Sequence, residues 1–165
     1  MGLRLTQGLG DGSGMRTYLV REIMSAPAVV IAWRASVLNA SALMQTHGIR
    51  RLPVVDDENV VIGVISLGDV REATSVYNTA SPYAPDSDDI LLAVDEVMTA
   101  PAIVVAADDT LRHVVQLMLD HKIGGIPVVD DQGCALGMVT ESDLFRLLIQ
   151  LWEQTDQAGQ QASHA

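Results

Sequence analysis

Two stretches of the chain, RLPVVDDENVVIGVISLGDV (residues 51–70) and GIPVVDDQGCALGMVTESDL (residues 125–144), are one construction written twice. Each reads as an apolar run, an acidic turn, a second apolar run containing a glycine, and a hydroxyl followed three residues later by aspartate. Working outward, the match extends without a gap over 20–72 and 94–146 at a constant offset of 74 positions, with about 19 of the 53 aligned pairs identical. The identities include Met24/Met98, Pro27/Pro101, His47/His121, Gly63/Gly137, Asp69/Asp143 and the whole Pro-Val-Val-Asp-Asp run. A duplication of this kind marks two units that bury a face against each other.

The 165 residues fit one compact domain or two very small ones. A unit of one repeat buries too little surface to be stable alone, so the halves are expected to share one core. Hydrophobic content is 48% and aromatic content 4%, so that core is aliphatic. No apolar run reaches the roughly 18–20 residues that span a bilayer, and no basic stretch precedes an apolar segment at the N-terminus. A soluble protein of the reducing cytoplasm is expected, with the lone Cys134 a small core residue. The net charge of −11, with nine arginines and a single lysine, Lys122, disfavours nucleic acid as a partner.

Each repeat reads as strand, helix, strand, strand, helix, an α+β pattern. In the first, 28–32 is a short strand, Ser36 opens a helix with Val37, Ala40, Leu43 and Met44 on one face, and Gly48 ends it. Strands over 52–55 and 60–66 flank the turn Asp56-Asp57-Glu58-Asn59. In the second, 103–106 is the strand, Thr110 caps a helix carrying Leu111, Val114, Val115, Leu117 and Met118, and the turn is Asp130-Asp131-Gln132-Gly133. A strand over 136–140 and a helix from about Glu141 to Trp152 follow. The organisation is a flexible lead (1–14, with Met15 a second candidate start), repeat one (15–73), a linker (74–93), repeat two (94–154) and a frayed polar tail (155–165).

Gly63-Val64-Ile65-Ser66-Leu67-Gly68-Asp69 and Gly137-Met138-Val139-Thr140-Glu141-Ser142-Asp143 carry the chemistry. A hydroxyl followed three residues on by an acid is first of all a helix-start signature and needs no ligand. Three features add a binding reading. The pair sits at a helix N-terminus directly after a strand, where unpaired N–H groups face a crevice; glycine lets a neighbour approach the strand closely; and the arrangement is duplicated although its surroundings have diverged. An ionised aspartate only accepts hydrogen bonds, so it suits the diol of a ribose, while the nearby hydroxyl and N–H groups suit a phosphate.

In combination, the opening Val-X-X-X-Met-(Ser/Thr)-X-Pro, the His-X-Ile-X-X-(Leu/Ile)-Pro-Val-Val-Asp strand and the Gly-X-(Ile/Val)-(Ser/Thr)-X-X-Asp ending resemble a tandem pair of CBS (cystathionine β-synthase) domains, a Bateman module, over 20–154. The resemblance implies two βαββα repeats packed sheet to sheet with pseudo-two-fold symmetry and two crevices between them. It implies AMP, ADP, ATP or S-adenosylmethionine as ligand, with Mg2+ accompanying a nucleotide and no cofactor required. Carried onto this chain, Asp143 and Asp69 take ribose hydroxyls, and Thr140 and Ser66 face the ribose-phosphate region. The purine lies against Ala102, Ile103, Ile126 and Pro127, or against Ala28, Val29, Leu52 and Pro53 in the other crevice.

The repeats differ where Arg50 and Arg51 stand against Gly124 and Gly125. Arginine forks reach phosphate oxygens, while glycines leave room near a base. One well-formed site is therefore expected on Thr140 and Asp143, with an arginine from the other half; the bland alternative pairs Arg50 and Arg51 with nearby acids at a solvated strand end. His47 and His121 read as helix-end residues, not metal ligands, and Met24 and Met98 as core fillers. With no nucleophile elbow, P-loop or metal quartet, no catalytic residue is assigned. The expectation is a nucleotide-sensing regulatory module acting on an unidentified protein, the rival being a structural dimerisation module with empty crevices. The resemblance also implies a homodimer through helix faces bearing Leu43, Met44, Leu117, Met118, Phe145 and Leu148.

Overall fold

The computed structural model describes residues 16–79 and 92–162; the glycine-rich lead and most of the expected linker loop lie outside the described residues. The architecture is α+β. In the first repeat β1 (Ile31–Ala32), α1 (Val37–His47), β2 (Arg51–Val55), β3 (Val61–Ser66) and α2 (Leu67–Thr79) follow one another, and the second repeats them as β4 (Val105–Ala106), α3 (Leu111–His121), β5 (Gly125–Val129), β6 (Ala135–Thr140) and α4 (Glu141–Ala162). Each repeat forms a three-stranded sheet, ordered β1-β2-β3 or β4-β5-β6, with the first pair parallel and the second antiparallel.

Local chemistry explains why the two halves agree so closely. Ser36 and Thr110 accept hydrogen bonds from the amides of Asn39 and His113, capping α1 and α3. The first aspartate of each duplicated pair makes the hairpin: Asp56 Oδ1 accepts from the amides of Glu58 and Val60, and Asp130 Oδ1 from those of Gln132 and Cys134, all at 2.9 Å. Positive φ falls at Asn59 (65°) and Gly133 (83°), in the corresponding turn positions. Cys134 is half-buried at this hairpin and forms an isolated bridge with Val60 of the other repeat, so it is a seam residue and not the core residue expected.

The cores depart from expectation in an informative way. There are two hydrophobic clusters, one per sheet, in place of a single shared one. The halves are joined by exchange. Val20, fully buried, sits in the cluster of the second repeat, its amide bonded to the Asp109 carbonyl; Val94, equally buried, sits in that of the first, bonded to the Ala35 carbonyl. Each small unit thus completes its core with the lead-in of the other, which meets the shortage of buried surface that a lone repeat faces.

The exchange also shortens the first strands. Ala28 and Ala102 spend their amides on Leu136 and Ile62 of the opposite repeat, so only the last two residues of each apolar run pair with their own sheet. Further corrections concern the helices. α2 runs on to Thr79 and α4 to Ala162, beyond the Trp152 end and through most of the tail read as frayed. Of the six apolar residues expected on a dimer face, Met44 and Met118 are buried and Leu43 and Leu117 half-buried in the cores, because the same helix stripe cannot serve both purposes. The other two, Phe145 (62% exposed) and Leu148, are exposed as expected, and among the described residues the most exposed apolar side chains gather around them on the second repeat with Leu119 (68%), Ile149 and Trp152 (64%).

Candidate ligand-binding crevices

The repeated hydroxyl–aspartate pair starts a helix in both halves, and in the first it closes a reciprocal capping box, the Asp69 amide donating to Ser66 Oγ at 3.3 Å. Asp69 Oδ2 accepts from the Ser66 amide and from Ser66 Oγ, both at 2.7 Å. Asp143 Oδ2 accepts from the Thr140 amide at 2.8 Å and from Thr140 Oγ1 at 2.6 Å. The helix-start reading is therefore realised, reciprocally in the first repeat and through the carboxylate in the second, and it consumes one carboxylate oxygen. An ionised carboxylate has about four acceptor directions. Among the described residues, Oδ1 of Asp69 has no protein partner, whereas Oδ1 of Asp143 accepts from Arg146 Nη1 at 2.8 Å. Asp143 is the buried charged side chain among those described, at 6% exposed. The Arg146 side chain is largely solvated while that of Asp143 is buried, so the pair joins a mobile cation at the mouth to a fixed carboxylate inside.

Each corner opens into a crevice whose opposite wall belongs to the other repeat. Thr140 and Asp143 face Ala28, Val29 and Pro53, with Arg50, Arg51 and Arg146 around the opening. Ser66 and Asp69 face Ala102, Ile103 and Gly125, with Arg51 and Lys122. The cavities are of about 190 and 230 Å³, so size does not separate them. Charge does: one has three arginines about one aspartate, the other an arginine and a lysine.

Of the residues expected to bind ligand, Thr140, Asp143, Ala28, Val29, Pro53, Arg50 and Arg51 come together in one crevice, and Ser66, Asp69, Ala102, Ile103 and Gly125 in the other. Leu52, Ile126 and Pro127 are corrected. All three are fully buried and line neither crevice. Strand alternation turns Leu52 and Ile126 into the helix-side cores, and the wall expected at Pro127 passes to Ile123, Gly124 and Gly125. Arg50 and Arg51 form no ion pair with a described acid, against the bland alternative. Sequence reading missed Arg146, which the i, i+3 spacing from Asp143 on α4 signals, and Lys122, whose φ of 55° stands where the first repeat has Gly48.

Gly63 and Gly137 admit a close neighbour as expected, but it is the exchanged lead-in and not a ligand. A Cβ at Gly63 falls 2.5 Å from Met98 Sδ, and one at Gly137 falls 2.7 Å from the Ser25 carbonyl oxygen. Met24 and Met98 cover these glycines, in keeping with a packing role.

Two sheets joined by exchanged lead-ins, with two crevices related by an approximate two-fold, define a tandem-repeat module with a cavity at each inter-repeat corner. The CBS domain family model matches residues 20–75 and 94–150, and the chain belongs to that family. It is 31% identical over 82% of its length to a CBS domain-containing protein of Dictyostelium discoideum, covering 94% of it. It is 30% identical over 86% of its length to L-aspartate semialdehyde sulfurtransferase of Methanocaldococcus jannaschii, but spans only 26% of that protein. Among solved structures, the CBS domain pair of protein MJ0100, in complex with 5′-methylthioadenosine and S-adenosyl-L-methionine, superposes with a TM-score of 0.69 at 28% identity, covering 81% of this chain and 97% of that one. CBSX2 in complex with AMP gives 0.66 at 26% identity, covering 81% and 98%.

Proposed function

We propose that this chain is a regulatory module that binds an adenosine-containing nucleotide and passes its occupancy to a partner protein, without catalysis of its own. In the Thr140 crevice the base lies against Ala28, Val29 and Pro53, the ribose reaches the outer oxygen of Asp143, and phosphates draw on Arg50, Arg51 and Arg146. Mg2+ enters only with a di- or triphosphate. The Ser66 crevice offers the same parts with fewer cations. The observation that carries this reading is the convergence of an acceptor carboxylate, an apolar wall and three arginines, contributed by both repeats, on one crevice of a chain whose net charge is −11. The complexes of the two structural relatives with AMP and with S-adenosylmethionine support the ligand class.

Because each crevice is built from both repeats, a ligand binds one mutual arrangement of the halves better than another, and that differential affinity is the signal. The apolar face on α3 and α4 supports a homodimer. The counterparts of Leu119, Phe145 and Leu148 in repeat one are Gln45, Arg71 and Thr74, so two copies bury most apolar surface by joining second repeat to second repeat.

The structural-module reading is favoured by one observation, that both aspartates already cap their helices. A thermal-shift series with AMP, ADP, ATP, NAD and S-adenosylmethionine separates the two. A ligand at 100 times its dissociation constant adds about 2.7 kcal/mol, a rise of roughly 5–11 °C in a chain of this size. No shift with any of the five leaves the structural reading standing.

A further inference from the structure

Arg51 lines both crevices. Its counterpart one repeat later is Gly125, so the approximate symmetry supplies a single guanidinium where two sites each call for one. The side chain lies across the backbone of the second repeat: a Cβ at Gly125 falls 3.0 Å from Arg51 Cδ, and one at Gly124 falls 2.5 Å from Arg51 Nη2. Gly125 is therefore the seat of this arginine, while Gly124 also seats the Glu141 carboxylate, whose Oε2 lies 2.6 Å from the same Cβ position, and any larger residue there displaces one or both. Arg51 is half-buried, and among the described residues it makes no hydrogen bond or ion pair. Five donors in a fixed fork stand unused at the boundary between two cavities.

Resting on the nucleotide reading above, we propose that Arg51 is a phosphate donor shared by the two crevices, so that a phosphorylated ligand in one weakens the binding of a second phosphorylated ligand in the other. A planar guanidinium engaged bidentately by one phosphate cannot present the same fork to another. The second crevice is then left with Lys122 when the first is filled, or the first with Arg50 and Arg146 when the second is filled. Linkage makes the penalty reciprocal, about 5- to 150-fold for coupling of ordinary size. Adenosine, which needs no phosphate donor, escapes it.

The test uses ATP as probe in isothermal titration calorimetry of the full chain. Ala102→Trp and Ala28→Trp each fill one crevice, leaving the other to report its intrinsic affinity. The expected result is a second stepwise dissociation constant in the parent chain at least about 5-fold weaker than the intrinsic value of that crevice. Adenosine shows no such gap, and Arg51→Gln abolishes it for ATP. A stoichiometry of one in the parent, with both single-crevice variants binding, supports the proposal equally. If a tryptophan variant does not fold, the ratio of the two ATP constants in Arg51→Gln against the parent gives the same reading. An unchanged second step, or binding confined to one crevice in every protein, overturns the shared donor and leaves the nucleotide reading intact; absence of ATP and adenosine binding throughout overturns both.

Discussion

Replacing Gly137 by alanine tests the exchanged lead-in that holds the two repeats together. The new Cβ stands 2.7 Å from the Ser25 carbonyl oxygen and 3.1 Å from Met24 Sδ. Methionine can turn aside, but the carbonyl cannot: it accepts from the Met138 amide at 2.9 Å, and the Ser25 amide returns a 2.9 Å bond to the Met138 carbonyl. Relief therefore needs the lead-in to back away from β6 and lengthen both bonds. Overpacking of this kind costs about 1–3 kcal/mol, and each weakened backbone bond up to about 0.5–1.5 kcal/mol. A loss of about 2–4 kcal/mol is expected, seen as a melting point lowered by roughly 4–16 °C. Gly68→Ala is the control, because that glycine is exposed in α2 and its Cβ meets only Ser66 Oγ at 3.3 Å. It should change stability by less than about 1 kcal/mol in either direction, helix propensity and the Ser66 Oγ contact opposing each other. Urea melts of both variants decide the matter: if Gly137→Ala unfolds with the parent, the lead-in does not hold the sheet as described.

Further expectations concern the cores, the site and the dimer. Val20→Ala and Val94→Ala each open a cavity in the lobe of the opposite repeat and should each cost about 1–3 kcal/mol; because the two sit in different clusters, the double variant should be additive within about 0.5 kcal/mol. Asp143→Asn keeps an oxygen for the Thr140 amide and should fold normally, yet lower AMP affinity about tenfold by calorimetry, a change of about 1.4 kcal/mol. Trp152→Arg places a cation in the exposed apolar face and, if the proposed homodimer forms there, should shift the mass measured by light scattering from dimer to monomer.

Strand and helix identity was legible because it rests on local rules: Ser36 and Thr110 cap, Gly48 takes a φ of 63°, and an aspartate folds each hairpin. The duplication also disclosed the two-fold. The exchange of Val20 and Val94 was not legible, since an apolar residue before a strand looks the same whether it enters its own core or its neighbour's. The pairing of crevice walls was hidden for the same reason. Thr140 with Ala28, and Ser66 with Ala102, are contacts between repeats, and periodicity within a repeat carries no information about them. Leu52 and Ile126 were misplaced by treating a whole strand as wall, although alternation sends every second side chain to the other face.

Capping and ligand binding are compatible roles for Asp69 and Asp143, because they use different oxygens. The inner oxygen of each carboxylate is fixed by the residue that begins the helix, which holds the outer one at a constant place and angle in the crevice. A carboxylate positioned in this way loses little rotamer freedom when a diol arrives. The two outer oxygens then differ in one respect, the Arg146 guanidinium on Asp143. Where repeat two has Arg146, repeat one has Glu72, so no equivalent pair forms at Asp69. A ribose entering the Thr140 crevice must share or displace that arginine. A phosphate on the same ligand offers the displaced guanidinium a new partner, whereas unphosphorylated adenosine offers none. The Thr140 crevice should therefore favour AMP over adenosine by a wider margin than the Ser66 crevice does, and Arg146→Ala should narrow that margin by strengthening adenosine and weakening AMP.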